Sequence, residues 1–183
     1  MVTNKMAEDF IQTYSGRAFH FGSPKVEEID IEDIAHALSL LCRFGGHCTE
    51  FYSVAEHSVR CAQAASKEYK LEALLHDAGE AYVVDIPRPI KYTLKGYKEL
   101  ENSIESVIRK KFNLPIEMTK EVKHLDNVML ATEKRDLMLP SEIEWFPLPD
   151  PLKDKIEPMS PKEAKIAFIN MFKELTKEDT NDQ

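Results

Sequence analysis

Residues 73–91 read ALLHDAGEAYVVDIPRPIK. At about 100° per residue, Leu71, Leu74, Leu75, Ala78 and Tyr82 line one side of a helix, while His76, Asp77 and Glu80 share the opposite arc. The pattern predicts a helix over about Lys70 to Val83. A stiff turn follows, because Pro87 and Pro89 cannot continue a helix. A polar arc on an isolated helix faces water, so the reading depends on what covers this one.

Two neighbouring helices bring polar side chains to inward faces. One opens at Ser53, where S-V-A-E sets a hydroxyl and a carboxylate three residues apart to satisfy free amides, and it runs to about Ser66. On it, His57 lies beside Val54, Cys61, Ala64 and Ala65 rather than with Glu56, Arg60 and Gln63, so it points inward. The other, about Thr119 to Met138, carries Asp126 amid the stripe Val122, Met129, Leu130 and Leu137. A carboxylate buried there is costly unless it is paired or coordinates a cation. His57, His76, Asp77 and Asp126 would satisfy one another around one divalent metal. Mixed nitrogen and oxygen donors suit zinc, cobalt, manganese, iron or nickel better than calcium.

The rest of the chain also reads as helix. The periodicity predicts a first helix from about Asp30 to Phe44, stopped by Gly45-Gly46, and another from about Gly96 to Phe112. Six of the ten prolines fall between Pro140 and Pro161, which marks a long ordered loop or lid. Ser160-Pro161-Lys162-Glu163 then opens a last helix. The expected organisation is an extended or hairpin segment over 1–29, a helical core over 30–138, the proline-rich loop over 139–159, and a C-terminal helix with a frayed tail over 160–183. The fold class is all-α.

The 183 residues carry 24 Lys+Arg against 32 Asp+Glu, a formal charge of −8, and 43% are hydrophobic. That suits one globular domain, and the acidity argues against a protein that grips nucleic acid by releasing counterions. No apolar run is long enough for a membrane span, and MVTNKMAEDFIQ lacks the features of a signal peptide, so a cytoplasmic protein is expected. Cys42, Cys48 and Cys61 are odd in number and lack C-x-x-C spacing; neither a disulfide framework nor a structural zinc site is suggested.

The order H…HD…D, written here as SVAEHS, ALLHDAGEAYVVDIPRPIK and KHLDNVMLA, resembles the HD-domain metal-dependent phosphohydrolases, an all-helical superfamily. The resemblance spans roughly Ile31 to Met138. It is strongest to the small bacterial and bacteriophage branch that includes 5′-deoxynucleotidases and phage dATP triphosphohydrolases. It implies metal ligation by His57, His76, Asp77 and Asp126. It also matches Glu80, one turn after the HD pair, Asp85 in the D-x-P-x-P-x-K turn, and Arg43-Phe44 before the first histidine. Two departures stand out: Phe44 occupies a position where tryptophan is common, and the H-to-HD gap is shorter than in the deoxynucleotidases. Ala81, where guanosine polyphosphate hydrolases usually carry an acid, disfavours that substrate class.

The expected activity is therefore deoxynucleotide hydrolysis, sharpest as dATP triphosphohydrolysis, with a 5′-deoxynucleotidase and a non-catalytic nucleotide sensor as alternatives. Glu80 and Asp85 are expected to handle protons. Arg43 and Lys91 would neutralise phosphates, Phe44 would stack on a base, and Pro87 and Pro89 would form a rigid wall. The resemblance also implies a homo-oligomer.

Overall fold

Side chains close in sequence start the main helices. Asp30 accepts a hydrogen bond from the Glu32 amide, Ser53 from Glu56 and Thr119 from Val122, each satisfying a free amide of a first helical turn. Ser160 and Glu163 form a reciprocal capping box. In the computed structural model, which describes residues 9–178, these caps open α1 (Ile31–Leu40), α2 (Val54–Ala64), α7 (Lys120–Leu137) and α8 (Pro161–Glu178). Between them lie α3 (Lys70–Leu75), α4 (Glu80–Val83), α5 (Arg88–Lys91) and α6 (Tyr97–Lys111). A hairpin precedes them all. Strands β1 (Phe10–Gln12) and β2 (Ala18–His20) pair antiparallel, with Ile11 opposite Phe19. The architecture is mainly α-helical with this one small hairpin among the described residues. The tail expected to fray after Lys177 starts with Glu178 still in α8; the first eight residues and residues 179–183 lie outside those described. No described helix is long and apolar enough to cross a membrane.

Helix α2 sits at the centre, packed by α1, α3, α7 and α8. Its Val54, Ala55, Val59 and Ala62 are buried, with Leu38 of α1, Leu74 of α3, Met129 of α7 and Phe168 of α8 in the same core. Each large apolar side chain buried this way stabilises the fold by about 1.5–3 kcal/mol. The Phe19 ring stacks on Tyr82 at 4.0 Å and fastens the hairpin to α4. Glu72 of α3 accepts from both the amide and the hydroxyl of Thr119 and pairs with Arg109, so one buried carboxylate fixes α3, α6 and α7 relative to one another.

Three predicted boundaries need correction. The first helix ends at Leu40 rather than Phe44, because Leu41 and Cys42 turn extended and Cys42 pairs with Ser53 in an isolated antiparallel bridge. Arg43 therefore opens a short 3-10 turn, in which Phe44 and Gly45 take left-handed φ of 58° and 60°. The Lys70–Val83 helix is two pieces. Through the HD dipeptide the ladder tightens, with Ala78 N–H donating to the Leu75 carbonyl and Glu80 N–H to that of Asp77. The proline turn contains the one-turn helix α5, tolerated because Pro89 falls in its first turn, where an amide has no helical partner.

The proline-rich segment has no regular structure but is pinned. Leu152 N–H donates to Thr132, Ile156 N–H to Asp136 and Met159 N–H to the buried Glu56, while Arg135 donates to the carbonyls of Leu152 and Asp154.

Candidate metal centre

The polar arc of the HD segment does not face water. Helix α2 covers it from one side and α7 from another, and His57 and His76 are 0% and 4% exposed. His57 Nε2 lies 3.2 Å from His76 Nε2, 3.5 Å from Asp77 Oδ2 and 3.4 Å from Asp126 Oδ1. His76 Nε2 lies 3.2 Å from Asp77 Oδ2 and 3.9 Å from Asp126 Oδ1. Nitrogen and oxygen ligands about 2.0–2.1 Å from a tetrahedral ion stand about 3.3–3.4 Å apart, so these separations suit the edges of one coordination shell.

The other ring nitrogens are engaged. His57 Nδ1 is 2.6 Å from Glu133 Oε1, and His76 Nδ1 is 2.7 Å from the Ala73 carbonyl oxygen. Each Nδ1 therefore donates, which turns the Nε2 lone pair toward the shared centre, the arrangement that orients imidazole ligands in metal sites. Arg43 closes the group, its guanidinium 3.2 Å from Glu133 and 3.4 Å from Asp77.

The charges at the centre are compatible with the same assignment. Burial opposes ionisation of Asp77, but His76 first and then His57 and Arg43 hold it well below the carboxylate range. Against the same opposition, His57 and His76 lower Asp126, while Arg43 and His57 lower Glu133. Three ionised carboxylates against one guanidinium leave two negative charges to be met. Protons on both imidazoles meet them: burial works against charging His76, yet Asp77 carries it up to about 10, and His57 is also raised well above its ordinary value. One divalent cation on neutral imidazoles meets them equally. The residues present fit such an ion, and His57, Cys61 and His76 also bring ligand atoms within 4.8 Å of one another.

No known family profile matches the chain. It is 44% identical over 170 residues to the uncharacterized protein YfdR of Escherichia coli K12, covering 91% of this chain and 96% of that protein. The chain belongs to the YfdR family. It is also 33% identical over 174 residues to the uncharacterized protein RCAP_rcc00048 of Rhodobacter capsulatus, covering 84% of this chain and 89% of that one.

In this YfdR-family chain the other predicted site residues surround the cage unevenly. Glu80 is buried with no hydrogen-bond partner on Oε2; burial, then Asp77 and Asp85, pushes its carboxyl well above the usual range. Asp85 is half-buried and raised by the same burial, against the pull of Arg43. The Lys91 ammonium sits 2.7 Å from Glu101 and 3.7 Å from Glu80, so its charge is already engaged. Pro87 and Pro89 are exposed, and Pro87 supplies the carbonyl that closes α5. Phe44 is half-buried beneath the Arg43 guanidinium, with Trp145 of the proline-rich loop 6.2 Å from its ring. Phe146 meets the Arg88 guanidinium at 5.3 Å, so the same loop touches both the Arg43 turn and α5.

Two residues of the centre escaped the sequence reading. Glu133 lies seven positions after Asp126, two turns along the same face of α7, and that spacing was the available signal. Cys61 follows His57 by four positions and shares its face; counting C-x-x-C spacings could not find it. A surface cleft of about 680 Å³ between Tyr69, Pro115 and Leu175 is lined by none of the cage residues. Its buried carboxylate, Glu72, is committed to Arg109 and Thr119.

Proposed function

We propose that this protein is a metal-dependent phosphohydrolase of deoxynucleotides, in its sharpest form a dATP triphosphohydrolase of the HD-domain type. The observation that carries the reading is the cage of His57, His76, Asp77 and Asp126 with a buried, unpartnered Glu80 oxygen beside it. The resemblance of the H…HD…D order supplies the substrate class. The reaction adds water to the α-phosphorus of dATP, breaks its bond to the 5′-oxygen, and releases deoxyadenosine and triphosphate.

The ion, when bound, supplies Lewis acidity that polarises a phosphoryl oxygen and makes water more acidic. Glu133 and the Ala73 carbonyl hold the two imidazoles in the tautomer that ligation needs. Glu80, its carboxyl favoured in the protonated form, passes a proton to the departing 5′-oxygen, and Asp85 takes one from the attacking water. Arg43 orients Asp77 and Glu133 and keeps further N–H groups for a phosphate oxygen. Lys91 adds positive charge, Phe44 with Trp145 offers apolar faces for the base, and Pro87 and Pro89 add a rigid wall. A cytoplasmic homo-oligomer with no nucleic-acid or membrane partner belongs to the same reading.

One observation favours a second reading, the 5′-deoxynucleotidase. Arg43 and Lys91 already face carboxylates, which leaves less free positive charge for three phosphates than for one. Product analysis separates the two. Incubation with dATP, dGTP, dCTP, ATP and dAMP under one metal should give triphosphate from dATP faster than any product from ATP or dAMP. A clear preference for dAMP moves the protein to the second reading, and turnover of none of them removes both.

A further inference from the structure

The edge formed by the His57 and His76 Nε2 atoms has a third neighbour besides the two aspartates. Cys61 lies one helical turn after His57 on α2, is 1% exposed, and places its Sγ 3.6 Å from His57 Nε2. Its Sγ and one ring nitrogen from each of His57 and His76 fall within 4.8 Å of one another. Bonds of about 2.0–2.1 Å to nitrogen and about 2.3 Å to sulfur, meeting at the 90–120° of a five-coordinate shell, set N and S about 3.1–3.8 Å apart. The observed 3.6 Å falls within that range. The aspartates occupy the more open side, their side chains 20% and 24% exposed.

We infer that Cys61 is a metal ligand, closing the buried side of the centre and making its donor set two imidazoles, two carboxylates and one thiolate. This rests on the metal reading above and adds to it a ligand that the H…HD…D pattern does not contain. Binding breaks the Cys61 S–H bond, forms a metal–sulfur bond and releases the proton to solvent. Two consequences follow from the sulfur. A soft donor favours zinc, cobalt or ferrous iron over manganese and magnesium. The exchangeable coordination position is confined to the side of Asp77 and Asp126, where a substrate can approach from solvent.

The test uses cobalt(II) as a spectroscopic probe in the full-length protein, freed of metal and reloaded without oxygen. One cobalt per chain should bind with an intense near-ultraviolet sulfur-to-cobalt band. Cys61→Ser should keep the cobalt and lose the band. Cys42 and Cys48, whose sulfurs are 3.5 Å apart, are the two other thiols, and the Cys42→Ser/Cys48→Ser double variant should keep the band. X-ray absorption of the zinc-loaded wild type needs no variant and should show one sulfur at about 2.3 Å. Stoichiometric cobalt without the band, a zinc shell of nitrogen and oxygen alone, or a band lost only with Cys42 and Cys48 overturns the assignment while leaving the metal centre intact. Failure to bind any metal overturns the centre itself. Nucleotide turnover enters none of these readouts, so a failed substrate assignment is seen separately.

Discussion

Replacing Glu133 with glutamine removes one negative charge from the interior and preserves the side chain's shape. In the wild type this wholly buried carboxylate receives the His57 Nδ1 proton at 2.6 Å and the Arg43 guanidinium at 3.2–3.3 Å. A glutamine oxygen can still accept from one of them, but its amide group faces the other, and the guanidinium loses its strongest counter-charge. A charge-assisted bond contributes about 1.5–3 kcal/mol, and stripping one partner from a buried pair costs about 3–5 kcal/mol, so a loss of about 2–4 kcal/mol is expected for the isosteric change. For a domain of this size that lowers the melting temperature by roughly 5–15 °C. Because Glu133 fixes the tautomer of His57, metal affinity should fall about 10–100-fold. Thermal melts of the metal-free protein and zinc titration against a chelator measure the two effects. A Glu133→Gln variant that melts and binds zinc like the wild type would show that this carboxylate orients nothing.

Glu80→Gln should leave metal content unchanged and reduce turnover by about 10²–10⁴-fold, read from elemental analysis beside kcat. Trp145 is the one tryptophan of the sequence, so intrinsic fluorescence reports on the loop beside Phe44: nucleotide binding should change the emission, and Trp145→Ala should raise KM more than it lowers kcat. Asp136→Asn should destabilise the protein at neutral pH by about 1 kcal/mol in urea unfolding, through its bonds to Arg135 and the Ile156 amide. The Arg135 hydrogen bond lowers the Asp136 carboxyl below its ordinary value of 3.8, so its stabilisation is present above that pH and disappears as pH falls through the lower folded value. The gap between variant and wild type should therefore close in acid.

Much of the helical frame is legible because its signals are local. Ser53 and Glu56, or Ser160 and Glu163, sit three positions apart and need nothing distant to satisfy one another's amides. The stops are less legible. Helix α1 ends where Cys42 meets Ser53 across the intervening turn, a pairing that no periodicity in the helix announces. The inward direction of His57 and Asp126 can be read from their own stripes, since a polar group among buried apolar neighbours is conspicuous. Glu133 is harder to read, because at the start of a charged run, Glu133-Lys134-Arg135-Asp136, a glutamate looks like one more solvated side chain. The phosphate role expected for Arg43 comes from the resemblance, through its match to an Arg-aromatic pair before the first histidine. That its guanidinium faces Glu133 and Asp77 follows only from folding the 3-10 turn onto α7.

The most direct test of the central claim pairs metal content with product analysis in wild type and Asp77→Ala. Asp77 contacts both histidines and Arg43 but lies outside the apolar core, so its loss should spare the helices. The wild type should hold a transition metal and convert dATP to deoxyadenosine and triphosphate, and Asp77→Ala, with unchanged helical circular dichroism, should lose both. Full metal content and undiminished turnover in Asp77→Ala, or a metal-loaded wild type that hydrolyses no nucleotide, would contradict that claim.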